Sequence, residues 1–164
     1  DSEDLVHRNL AVELMCPILA TPYTSRGDTR PVKLPDGVDA RTWRRLLAGR
    51  SVTLVHESDG VLDANAILLF RKGSGVARLY SISVAPAARG KGLGAALLSA
   101  CERCAASKGA KRMRLEVRST NKSAHRLYDA AGYRVIARLE SYYPDGEAAH
   151  RMEKVLIASS DGAP

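Results

Sequence analysis

At 164 residues, 45% of them apolar and 26% charged, the chain is long enough for one well-buried core and short for several. No stretch approaches the roughly 20 apolar residues of a membrane span, and the acidic, mixed start does not resemble a secretory leader. The formal charge of +7 is uneven: residues 1–40 hold 4 Lys/Arg against 7 Asp/Glu, a net −3, so the remainder carries +10. A basic second half suits an anionic ligand. Three cysteines, an odd number, argue for a reducing, cytoplasmic setting over a disulfide framework.

In chain order, Asn9 to Leu19 has patchy helical periodicity interrupted by Pro17, and the proline- and glycine-dotted run from Thr21 to Gly37 reads as an irregular connection. Residues 1–38 therefore stand apart as an N-terminal segment, with the main domain over 39–157 and a tail over 158–164. Asp39 is a good N-cap for a short helix carrying Trp43, Leu46 and Leu47 on one face and closing at Gly49. Ser51 to Glu57 and Leu62 to Phe70 read as strands joined through Ser58-Asp59-Gly60, and Lys72 to Gly75 as a turn into a strand over Val76 to Val84. A helix over about 91–108, a strand over 112–118, a helix over 121–131 and strands over 133–140 and 149–156 follow. Such alternation indicates a mixed α/β sheet.

The segment Val84-Ala-Pro-Ala-Ala-Arg89-Gly-Lys-Gly92-Leu-Gly94 joins a strand to a helix. Glycines at 90, 92 and 94 let the backbone approach a ligand, and the helix start offers unpaired N–H groups and the positive end of its dipole. Arg89 and Lys91 add positive charge, which makes this a cradle for a phosphate or pyrophosphate. A Walker loop is excluded, because Gly90-Lys91 is followed by Gly92 and not by Ser or Thr; a dinucleotide fingerprint lacks its third glycine.

Farther on, Leu115-Glu116-Val-Arg118 leads to Asn121, then to Leu127-Tyr128 and Ala131-Gly132-Tyr133. Ala124, Leu127, Tyr128 and Ala131 share one helix face; Asn121 or Ser123 can cap its start and Gly132 its end. Cys101 and Cys104 lie in the helix after the glycine turn, where core packing explains them better than redox or zinc chemistry. His56, His125 and His150 are scattered in sequence and form no metal-ligand pattern.

Arg89-x-x-Gly92-x-Gly94, preceded by Val84-Ala-Pro86, resembles the pyrophosphate-binding turn of the GNAT acyltransferases. The Leu-Glu-Val-Arg, Asn, Leu-Tyr and Ala-Gly-Tyr series, with Tyr142-Tyr143 and Asp145-Gly146, resembles the branch that acetylates protein N-termini, typified by the ribosomal-protein alanine N-acetyltransferases. The resemblance is strong from about Val76 to Val155, weaker from Asp39 to Gly75 and absent before Asp39. It implies a GNAT fold with a central twisted mixed sheet of about six to seven strands flanked by helices. It implies acetyl-CoA as cofactor, held by Ile82, Val84, Arg89, Gly90, Lys91, Gly92, Leu93, Gly94, Asn121 and Tyr128. Glu116 would be the general base and Tyr128 the general acid, with Tyr142 and Tyr143 lining the acceptor groove.

Each residue has a plainer alternative. Glu116 could be a strand carboxylate paired with Arg114 or Arg118, Tyr128 an apolar-face tyrosine, Asn121 a helix cap, and the tyrosine pair mere packing. The resemblance implies direct acetyl transfer to a protein or peptide N-terminal α-amine; a small amine acceptor or a non-catalytic acyl-CoA-binding module are the rivals. The basic residues are spread over several elements without an aromatic platform, which disfavours a nucleic-acid partner.

Overall fold

The computed structural model describes residues 24–25, 28–29, 51–58 and 61–156. The helix expected after Asp39, the periodic stretch 9–19 and the tail 158–164 lie outside them. Within the run expected to be irregular, β1 (Thr24–Ser25) and β2 (Asp28–Thr29) pair antiparallel as a two-residue ladder.

β3 (Ser51–Ser58) and β4 (Val61–Phe70) form an antiparallel hairpin, followed by β5 (Val76–Val84), a 3-10 turn over Pro86–Ala88, and helix α1 (Leu93–Ser107). β6 (Arg112–Arg118), α2 (Lys122–Ala130), β7 (Arg134–Leu139) and β8 (Ala149–Val155) complete the order. The six longer strands make one mixed sheet in the order β3-β4-β5-β6-β8-β7. β5 and β6 run parallel with α1 as their crossover; β8 is antiparallel to both β6 and β7. Among the described residues the sheet has six strands, within the expected six to seven, and element boundaries agree with the hydrophobic pattern to within a residue or two.

The described residues fall into two compact units, one running through Leu69 with Ser81–Cys101, the other made of Phe70–Tyr80 and the chain from Glu102 onward. In the first, Leu54, Ala64, Ala66, Ile67, Leu97, Leu98 and Cys101 are buried. In the second, Ala77, Leu79, Met113, Leu115, Val117, Tyr133 and Met152 are. β6 shows why: its odd positions, Met113, Leu115 and Val117, are buried, while its even positions carry Arg112, Arg114, Glu116 and Arg118 on the opposite face. Cys101 at 0% exposure fits the packing role expected of it.

α2 starts and stops as its residues dictate. The Asn121 side chain accepts the Ala124 N–H at 3.1 Å, and Gly132, at φ +93°, follows Ala131 in the left-handed region where glycine ends a helix at little cost.

Leu115 is 1% exposed. Leu115→Ala is therefore expected to destabilise the fold by about 2–5 kcal/mol, the usual cost of truncating a buried leucine. Urea denaturation measures it; a loss under 1 kcal/mol would place β6 outside the core.

Candidate functional site

The glycine turn lies wholly in the first unit. Gly90 and Gly92 have φ of +75° and +76°, conformations an L side chain rarely adopts, so both positions require glycine for the backbone itself. Gly94 falls in the first turn of α1, whose first intrahelical bond runs from the Ala96 N–H to the Gly92 carbonyl at 3.0 Å. The N–H groups of Leu93, Gly94 and Ala95 therefore have no intrahelical acceptor, and no acidic side chain occupies that turn. Arg89 donates from Nε to the Val84 carbonyl at 3.0 Å, which ties the turn back to the end of β5. Lys91 is exposed. Ile82 and Val84 are half-buried near the end of the same strand.

The same unit holds a cluster the sequence did not announce. A bulge between His56 and Glu57 in the β3–β4 pairing re-aims Asp63, which binds His56 Nδ1 at 2.5 Å and accepts from Ser58 Oγ at 2.8 Å. Burial works to raise the Asp63 pKa, but those two hydrogen bonds and the imidazole prevail and hold it below its ordinary value.

The second unit contains Glu116, Asn121, Tyr128, Tyr142 and Tyr143. The Glu116 side chain is only 6% exposed, and each of its oxygens accepts from a guanidinium. Arg78 on β5 places Nε 2.9 Å from Oε2, and Arg151, directly opposite on β8, places Nε 3.0 Å from Oε1. The partners expected for it are engaged elsewhere: Arg114 forks onto Glu153 at 2.6 and 2.9 Å, and Arg118 reaches Asp145 and Glu147 at 2.7 and 2.6 Å. Nothing local in the sequence points to Arg78 or Arg151, which lie 38 and 35 residues from Glu116. The alternation of β5 and β8 could have put both on its face of the sheet.

Arg78 does more than pair. Its Nη2 donates to the Tyr142 hydroxyl at 2.9 Å, so one guanidinium spans the carboxylate and the tyrosine. Burial works to lower its pKa; the Glu116 charge and the Tyr142 oxygen outweigh that and raise it.

Tyr142 and Tyr143 sit on the β7–β8 connection, their rings edge to face with centroids 5.1 Å apart. Both backbone N–H groups donate to the Glu147 carbonyl, and the turn uses positive φ at Ser141 (+48°) and Gly146 (+84°). Arg118 stacks on the Tyr143 ring, its Cζ 4.0 Å from the centroid, while pairing with Asp145 and Glu147. Thr120 donates to Glu147 from both its backbone N–H and its hydroxyl. The tyrosine pair is thus fixed from β5 by Arg78 and from β6 by Arg118. Burial raises the Tyr143 pKa, reinforced by Tyr142 and opposed by Arg118.

Tyr128 is buried and packs edge-on against Tyr133, centroids 5.8 Å apart. The Asn121 cap uses Oδ1, which leaves Nδ2 as the atom that could serve a ligand. His125 and His150, distant in sequence, approach to 3.3 Å between Nε2 and Nδ1, and His125 Nε2 also lies 3.2 Å from the Arg118 carbonyl. Among the described residues no group of three or more His, Cys, Asp or Glu could hold a metal, and no helix is long and apolar enough to cross a membrane.

The profile of the Acetyltransferase (GNAT) family matches residues 13–133, and the chain belongs to that family. Members of that family are acetyltransferases whose acyl donor is acetyl-CoA. The match begins well before Asp39, where sequence reading alone found no resemblance. A ribosomal protein bS18-alanine N-acetyltransferase from Haemophilus ducreyi is 35% identical over 82 residues, covering 50% of this chain; the chain spans 56% of that relative's length. Among solved structures, the ribosomal-protein-S18-alanine N-acetyltransferase of Escherichia coli aligns with a TM-score of 0.61 at 29% identity, over 70% of this chain and 76% of that one. A nourseothricin acetyltransferase aligns with a TM-score of 0.62 at 28% identity, over 66% of each.

Asp145 is held below its ordinary pKa of 3.8 by the Glu147 backbone N–H and then Arg118; Glu147 is held below 4.5 by Thr120 and then Arg118. Their contribution is complete above those ordinary values and is lost only as pH falls through the lower folded-state ones. The tyrosine loop should therefore keep its geometry at pH 5 and loosen below about pH 4, as followed by NMR of the Tyr143 ring. Loosening already at pH 6 would show that these contacts do not hold it.

Proposed function

We propose that the protein transfers the acetyl group of acetyl-CoA directly to the N-terminal α-amine of a protein or peptide. The observation that carries this reading is the tyrosine-bearing loop fixed beside Glu116 by Arg78 and Arg118, in a chain 35% identical over 82 residues to an alanine N-acetyltransferase. An extended peptide needs a rigid, partly apolar wall, and two tyrosines with locked backbones provide one. Cysteine usage fits a reducing, cytoplasmic setting.

In this reading the glycine turn takes the pyrophosphate: the Leu93, Gly94 and Ala95 N–H groups and the helix dipole face it, with Arg89 and Lys91 adding charge. The backbone at Ile82 and Val84 pairs with the pantetheine, the Val84 N–H stabilises the thioester oxygen, and Asn121 Nδ2 holds the arm. Acetyl-CoA supplies the electrophile. Glu116 takes the proton of the attacking amine, directly or through water, and Tyr128 protonates the departing thiolate.

The alternative acceptor is a small-molecule amine, favoured by the similarity to a nourseothricin acetyltransferase. A polyamine fits poorly. The carboxylates around the tyrosine loop, Glu116, Asp145 and Glu147, are all paired with guanidinium groups, which leaves a polycation no unengaged anion among them.

Release of free CoA, measured with N-terminal peptides beside polyamines and free amino acids, tests the acceptor. Peptides are expected to turn over, with Glu116→Gln and Tyr128→Phe each lowering kcat by about 10²–10⁴-fold. Turnover confined to small amines would replace the peptide reading. Unchanged kcat in both variants would remove the two residues from the mechanism.

Gly92→Ala tests the donor half separately. The substitution forces a side chain into the left-handed region at a cost of about 1–2 kcal/mol. It should weaken CoA binding by calorimetry while leaving the second unit folded; unaltered affinity would exclude the turn from the cofactor site.

A further inference from the structure

We infer that Arg78 sets acceptor specificity, and that the preferred acceptor is an α-amine with a carboxylate close by, such as a peptide whose second residue is acidic. The inference rests on the proposed transfer to a peptide α-amine. It starts from the crowding around the carboxylate: each Glu116 oxygen accepts from a guanidinium, so an amine that approaches either oxygen meets a cation beside it.

The two arginines are not equivalent. Arg151 is the direct cross-strand neighbour of Glu116 in the β6–β8 ladder, so ladder geometry maintains that contact. Arg78, at 40% side-chain exposure against 33% for Arg151, differs in being shared with the Tyr142 hydroxyl, itself on an exposed residue. Oε2 is therefore the oxygen that can be released. A half-buried guanidinium does not leave a carboxylate for nothing; the low-cost exchange is for another anion. An acceptor that brings its own carboxylate takes Arg78, and Oε2 becomes available to the amine.

Charge points the same way. Arg78, Arg118 and Arg151 balance Glu116, Asp145 and Glu147 around the tyrosine loop. A peptide with an acidic second residue brings an anion for Arg78, whereas one with a lysine there adds a cation beside three others.

The step balances without further reactants. The amine nitrogen bonds to the thioester carbonyl carbon and the carbon–sulfur bond breaks. The amine proton passes to Glu116 Oε2, and the thiolate leaves as the thiol with a proton from Tyr128. Arg78 is a positioning residue: it contacts the acceptor's carboxylate and governs when Glu116 can act.

The test uses three peptides alike except for Glu, Gln or Lys at the second position, with the wild type, Arg78→Gln and Arg78→Lys. The wild type is expected to favour Glu over Gln by about tenfold in kcat/KM and to use the Lys peptide least. Arg78→Gln should bring Glu and Gln within about twofold, through loss on the Glu peptide and gain on the Gln peptide. Arg78→Lys should keep the order. CoA affinity reports on folding; if Arg78→Gln lost it, Arg78→Met would be used instead. A flat wild-type profile on peptides that do turn over would overturn this inference and leave the proposed function standing, as would an order that survives Arg78→Gln. Turnover of small amines with none on any peptide would overturn both.

Discussion

The second unit is organised around one nearly buried carboxylate. Glu116 faces Arg78 from β5 and Arg151 from β8, so a single side chain fixes the charges of three adjacent strands. A carboxylate at 6% exposure survives only with its charge compensated. Two guanidiniums meet that demand and leave one surplus positive charge. Part of the surplus is directed at the Tyr142 hydroxyl, and through it at the loop that would meet the acceptor. Arg118 repeats the pattern one pleat away, with Asp145 and Glu147 as its anions and the Tyr143 ring as its cushion.

Much of the fold was legible because it rests on local signals. Alternation in β6, the Asn121 cap and the glycine at 132 each act within a few residues, and each appears where expected. The glycine turn was legible for the same reason, although the structure refines its logic. Gly90 and Gly92 are needed for positive φ, while Gly94 simply enters the helix. What could not be read was the pairing of charges across strands. Arg114 and Arg118 are closer to Glu116 in sequence, yet Glu153, Asp145 and Glu147 claim them. Partner choice there depends on the register of β5 against β6 and of β6 against β8, a tertiary quantity. The His125–His150 contact and the bulge that turns Asp63 toward His56 escaped for the same reason.

A carboxylate bonded to two arginines presents positive charge beside its lone pairs, and the chemistry must accommodate that. The demand on a base is set by the acceptor. A lysine or polyamine nitrogen is protonated up to about pH 10, whereas an α-amine loses its proton near pH 8. Near pH 7 a far larger fraction of an α-amine than of a lysine or polyamine nitrogen is therefore neutral, and the neutral form would need a proton acceptor only as the carbon–nitrogen bond forms. On the proposed reading, a well-positioned carboxylate would suffice for that. A site of this kind is, on that reading, better matched to chain termini than to amines that need forceful deprotonation.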